Sequence, residues 1–127
     1  MRATLGGFWI VLGLVIAALQ YLANAYYLYY RWWWSDVVMH FLGGLFIGVG
    51  VLWWLRFEIP IGIRTRIPRF ATAFLLVLLV GVSWEIFEWY TNSYNATNYV
   101  LDTASDILMD VCGMLAAYLV FLRYDRS

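Results

Sequence analysis

At 127 residues the chain is one domain by length, yet 65% of it is hydrophobic and only 13% charged, which excludes an ordinary soluble protein and reads as membrane. Formal net charge is zero, so no bulk field points to nucleic acid or to acidic partners. The single cysteine, Cys112, excludes a disulfide framework within one chain.

Four apolar segments are visible, at about 6–30, 35–57, 70–90 and 99–122. Each is near the roughly 20 residues that cross a bilayer as a helix. The expected architecture is an all-α integral membrane four-helix bundle, a single four-span domain over 1–127. All eight basic residues are arginines. Arg2, Arg56, Arg64, Arg66, Arg69, Arg123 and Arg126 fall on one side of such a bundle, and Arg31 alone on the other. The positive-inside rule then places both termini and the middle loop in the cytoplasm, N-in and C-in, for a multi-pass protein of the inner or plasma membrane. A signal peptide cleaved near Ala23-Asn24-Ala25 is the competing reading of the first segment. It is set aside because the apolar run continues past Ala25 through aromatic residues, as an uncleaved span does.

In the first span Gly6, Gly13, Ala17, Gln20, Asn24 and Arg31 lie close to one helical line that turns polar toward the outer end. Helix packing is the expected role of that stripe, with Gln20, Asn24 and Arg31 reaching a shared site as the alternative. Tyr26, Tyr27, Tyr29, Tyr30 and Trp32-Trp33-Trp34 read as an aromatic belt at the outer interface.

The second span opens with Asp36 and His40, four apart on one face, with Gly43, Gly44 and Gly48 nearby. An Asp at a helix start is explained by capping and the helix dipole. An intramembrane His one turn later has no such explanation and reads as a ligand or base. The middle loop, with Pro60 and Pro68, is expected along the cytoplasmic headgroups, and Glu58 as a solvated or interface-paired charge.

The third span ends with Glu85 and Glu88, three apart on the face that also carries Gly81. Two carboxylates there require a shared proton, a shared cation or water. A short polar loop follows, with an Asn95-Ala96-Thr97 glycosylation pattern of low specificity. The fourth span carries Asp102, Asp106 and Asp110 on one stripe, roughly 12 Å from first to last, and Gly113 extends it.

Asp36, Glu85, Glu88, Asp102, Asp106 and Asp110, with His40, thus come from three spans and share the outer half of the bilayer. Each charge near the bilayer centre costs about 2.5 to 3.5 kcal/mol on insertion scales, so the group must face protein, water or a cation. Oxygen ligands with one imidazole suit a divalent metal, and facing helices are how carboxylate metal sites are assembled in bundles. The plainer alternative is protonated carboxylates that hydrogen-bond between helices.

At these residues, Asp36-x-x-x-His40-Phe41-x-x-Gly44, Trp84-Glu85-x-x-Glu88-Trp89 and Asp102-Thr103-x-x-Asp106-x-x-x-Asp110-x-x-Gly113, the chain resembles a family of small uncharacterised bacterial and archaeal inner-membrane proteins. More distantly it is similar to the VanZ-like family, linked to glycopeptide (teicoplanin) resistance. VanZ-like proteins usually carry Lys where this chain has Val37, Gln where it has Glu88 and often Asn where it has Asp110. They also tend to place an Arg in the loop before the last span, and 91–101 contains none. The resemblance implies the fold and the site, and the departures make this site more acidic.

Three functions are compatible with these residues. The first is an outward-facing metal site acting on a lipid-linked phosphate or headgroup. Glu85, Glu88, Asp102, Asp106, Asp110 and His40 would then be metal ligands, with His40 also a candidate base and Asp36 its orienting partner. The second is cation or proton translocation. The third is a non-catalytic subunit of a homo-oligomer or larger membrane complex.

Overall fold

The computed structural model describes residues 2–58, 68–91 and 98–125, and all its regular structure is helical. The elements are α1 (Arg2–Ala25), a single turn α2 (Leu28–Arg31), α3 (Trp34–Phe57), α4 (Arg69–Thr91) and α5 (Tyr99–Asp125). Four of these, α1, α3, α4 and α5, are long and apolar enough to cross a membrane. The chain is therefore an all-α membrane helical bundle.

Local chemistry explains where the helices stop. Pro68 immediately precedes α4, where its carbonyl accepts from Thr72 N–H at 3.0 Å. Asn98 caps α5 by accepting Leu101 N–H on its side chain at 3.4 Å. The first span departs from expectation: α1 starts at Arg2 and ends at Ala25, short of residue 30, because Tyr27 takes left-handed angles of φ 55°, ψ 41°. The chain then makes the turn α2 and enters α3, whose Ser35 hydroxyl donates back to Trp32 O at 2.6 Å. Arg31 consequently sits on α2, exposed, and does not continue the stripe of Gln20 and Asn24.

The tightest contact is between α3 and α5, and glycine makes it. A Cβ on Gly44 would fall 2.1 Å from Asp110 O, and one on Gly113 the same distance from Phe41 O, so the two backbones touch. Gly48 lies against Ala117 in the same groove, where an added Cβ would be 2.8 Å away. This is small-residue packing, the main route to close helix association in lipid. The order of Gly44–Asp110 and Gly48–Ala117 makes α3 and α5 parallel, and α4 runs against them.

Helix α1 packs along α3 and makes at most marginal contact with α4 or α5. Trp9 stacks on Phe46 at 5.1 Å and donates to Phe46 O at 3.1 Å, and the Gly13 position leaves room for the Phe46 ring. The inner part of the predicted small-residue stripe is thus a packing face. At its start Arg2 pairs with Glu58, and Trp53 donates to Arg2 O at 3.2 Å. Arg2, Arg56, Arg69 and Arg123 therefore gather at one end of the bundle and Arg31 at the other. Arg64, Arg66, Arg126, Pro60 and the Asn95 pattern lie outside the described residues.

The bundle is divided lengthwise. The arginine end is dry: Leu5, Val49, Leu52, Ala73, Val77, Met114, Ala117 and Phe121 form its buried core. The aromatic end holds the buried polar residues, Ser35, His40, Glu85, Asp106 and Asp110. Apolar side chains such as Ile10, Leu14, Leu75, Leu79 and Leu119 cover the outside, as a lipid-facing surface requires.

Candidate functional site

His40 is the hub. It lies one turn below Asp36 on α3, and the glycine contact one turn further on brings α5 so close that Asp110 reaches its ring. His40 Nδ1 is 3.3 Å from Asp110 Oδ2. A carboxylate accepts from a ring N–H, so in the neutral imidazole this contact places the proton on Nδ1 and leaves Nε2 with its lone pair. Nε2 faces Glu85 Oε1 at 3.7 Å and Asp36 Oδ1 at 3.9 Å. These separations are too long for hydrogen bonds and similar to the spacing of donors around one small cation.

Asp106 completes the group. One donor atom each from Asp36, His40 and Asp106 lie within 4.8 Å of one another. Asp106 is 1% exposed and Glu85 4%, and Asp106 Oδ2 and Glu85 Oε1 are buried without a hydrogen-bond partner among the described residues. A buried oxygen left so carries an uncompensated desolvation cost of about 1 to 3 kcal/mol or more. Two of them beside the imidazole make a group that could hold a cation.

The other oxygen of Glu85 is anchored, and that of Asp106 lies near a hydroxyl. Thr103 donates to Glu85 Oε2 at 2.6 Å, and Tyr99 donates to Glu85 O at 2.8 Å, which ties α4 to the first turn of α5. Ser105 donates to Asp102 O at 2.8 Å and lies 3.4 Å from Asp106 Oδ1. The sequence reading gives no role to Thr103, Tyr99 or Ser105. The one available signal was the helical offset of Thr103, which shares a face with Asp106 and so points toward α4.

Gly81 supplies the room. An added Cβ there would lie 2.3 Å from Asp110 Oδ2, so the carboxylate occupies the space a side chain would take. Glu88 and Asp102 stand apart from the His40 group. Together with Asp36 they line a cavity of about 510 Å³ that lies above the group at the aromatic end.

Gln20 and Asn24 also line that cavity, so the outer part of the α1 stripe reaches the site while the inner part packs on α3. Most of the aromatic belt is exposed, Tyr30 and Trp33 included, and Tyr29, Tyr30 and Trp33 also form cavity wall, together with Trp84 and Phe87 of α4. Tyr29 donates to Gln20 Oε1 at 2.6 Å. Burial, and then the nearby Asp36 carboxylate, push the Tyr29 phenol above its ordinary pKa, which keeps it a neutral donor. Every predicted site residue thus belongs to one bundle, five around His40's ring and two in the chamber above it counting the histidine with the first set.

The family model described as "Predicted membrane protein (DUF2238)" matches residues 2–127. The chain belongs to that family. No curated protein and no solved structure matches it. The family description agrees with a membrane protein, and the four long apolar helices supply the multi-pass architecture.

Proposed function

We propose that the protein holds a divalent metal ion at His40 and uses it on a lipid-linked phosphate or headgroup at the outer face of the membrane. The observation that carries this reading is the donor set: His40, Asp36 and Asp106, with two buried oxygens, Glu85 Oε1 and Asp106 Oδ2, that have no hydrogen-bond partner among the described residues. In this reading His40 Nε2, Asp36, Asp106 and Glu85 Oε1 are the ligands. Asp110 on Nδ1 is a positioning residue that fixes the ring and its tautomer. The roles expected of Asp36 and Asp110 are thereby exchanged. Glu88 and Asp102 serve the chamber above, where the substrate headgroup sits.

One imidazole with carboxylates suits Zn²⁺, Mn²⁺, Fe²⁺ or Mg²⁺. Such an ion supplies Lewis acidity and a bound water of lowered pKa. The arginine-bearing end is cytoplasmic by the positive-inside rule, which turns the chamber outward in the inner or plasma membrane. The more distant VanZ-like resemblance names no reaction, and Val37, Glu88 and Asp110 argue against carrying over the antibiotic phenotype. Translocation is disfavoured by the dry core of the arginine end, where Leu5, Val49, Leu52 and Met114 leave no polar continuation.

Elemental analysis of protein purified in mild detergent without chelator tests this reading, beside Asp106→Asn and His40→Ala. Stoichiometric metal in the parent that disappears in both variants supports it. No metal, with all three proteins equally stable, overturns it in favour of protonated carboxylates as helix glue or as a docking surface for a partner subunit.

A further inference from the structure

A second cavity, of about 240 Å³, adjoins the acidic chamber and shares Gln20, Tyr29, Asp36 and Trp84 with it. Its character is different. Ile16 of α1, Met39 and Ile47 of α3 and Val80 of α4 make its sides, and His40 and Asp110 stand at its inner end. It lies where α1 and α4 both pack on α3 but scarcely touch each other. Val80 and Trp84 are half exposed, so the lip of this slot is the outer surface of the bundle. At that depth the surroundings are acyl chains.

We propose that the slot takes a hydrocarbon chain of a membrane amphiphile that enters sideways between α1 and α4, with an ammonium-bearing headgroup seated in the acidic chamber. The proposal rests on the reading of the chamber as the reaction site, and names the substrate class for it. Two adjoining compartments, one apolar and open toward lipid and one polar, match the two ends of an amphiphile and not a water-soluble molecule. Charge selects the headgroup. Asp36, Glu88 and Asp102 bring carboxylates to the chamber, Tyr30, Trp33 and Trp84 bring aromatic rings, and among the described residues no basic one lines it. The chain has no lysine, and Arg31 lies outside the wall. Carboxylates with aromatic faces are the chemistry that binds an ammonium group, and they repel an anionic headgroup unless a metal receives it. An aminoalkyl phosphate satisfies both compartments of charge: its phosphate toward the His40 group, its ammonium toward Glu88 and Asp102, which lie about one helical turn from Glu85 and Asp106.

The test is native mass spectrometry of lipids retained by the full chain after extraction from vesicles of phosphatidylethanolamine and phosphatidylglycerol, with metal content measured on the same samples. A Cβ on Gly43 meets nothing within 4 Å, so Gly43→Phe fills the slot without a backbone clash, and Val80→Trp fills it from the opposite wall. The expected result is preferential retention of phosphatidylethanolamine, reduced about tenfold or more in both variants. Free phosphoethanolamine, added as competitor, should displace the lipid poorly. Equal retention of the two lipids, preference for the anionic one, or undiminished retention in both variants would overturn the proposal. So would displacement by the free compound at concentrations as low as the lipid's own. Metal-free protein that still prefers the amine lipid would sink the metal reading and leave this one standing.

Discussion

Gly81 of α4 and Asp110 of α5 share one space: the Cβ that Gly81 lacks would stand 2.3 Å from Asp110 Oδ2. Since Asp110 also holds His40 Nδ1, an alanine at position 81 pushes on the residue that orients the hub. Gly81→Ala should therefore weaken metal binding by roughly 10- to 100-fold, the usual effect of losing a ligand's supporting partner. Competition with a graded chelator measures it. Metal affinity equal to that of the parent protein would mean that Asp110 does not set the ring.

Gly113 is a different kind of glycine. Its missing Cβ would lie 2.1 Å from Phe41 O and 2.6 Å from Leu45 N, both backbone atoms that cannot swing away. Gly113→Ala should separate α3 from α5 and destabilise the bundle by about 1 to 3 kcal/mol or more, as overpacking does. Gly7, with nothing within 4 Å, is the matched control. Thermal unfolding in one detergent should show a lowered midpoint for Gly113→Ala and none for Gly7→Ala.

These two glycines also mark what could be read from the residues alone. The spans were legible because each is a long apolar run, and the acidic face was legible because carboxylates at three- and four-residue spacing can only share a helix stripe. Gly81 and Gly113 fell on those stripes by the same arithmetic. What each glycine accommodates was not legible, since that depends on how closely a second helix approaches. The stop at Ala25 was hidden too: Tyr27 adopts a left-handed conformation that a tyrosine seldom takes, and no glycine or proline announces it. Arg31 was placed on the wrong helix for that reason. The slot between α1 and α4 is a gap between elements, so no local pattern encodes it.

Thr103 offers a test of how Glu85 is aimed. Its hydroxyl donates to Glu85 Oε2 at 2.6 Å, while Oε1 turns to His40. Thr103→Val keeps the shape and removes the donor, so Glu85 loses its one side-chain anchor. Metal affinity should fall about tenfold or more, while Thr103→Ser should restore most of it. An equal loss in the serine variant would point to packing and not to the hydrogen bond.

Acidification gives the last prediction. Every donor in the set, His40 Nε2 and the carboxylates of Asp36, Glu85 and Asp106, binds a cation only in its deprotonated form, so protons and metal compete for the same atoms. Metal affinity should rise with pH and fall as pH drops, with more than one proton taken up per ion released, because several ligands protonate when the ion leaves. Asp36→Asn removes one titrating donor, so its affinity should be lower while its dependence on pH becomes shallower. Metal titrations across a pH series in the parent and the variant measure both slopes. A parent slope below one proton per ion, or an unchanged slope in Asp36→Asn, would remove Asp36 from the ligand set and leave it to the chamber with Glu88 and Asp102.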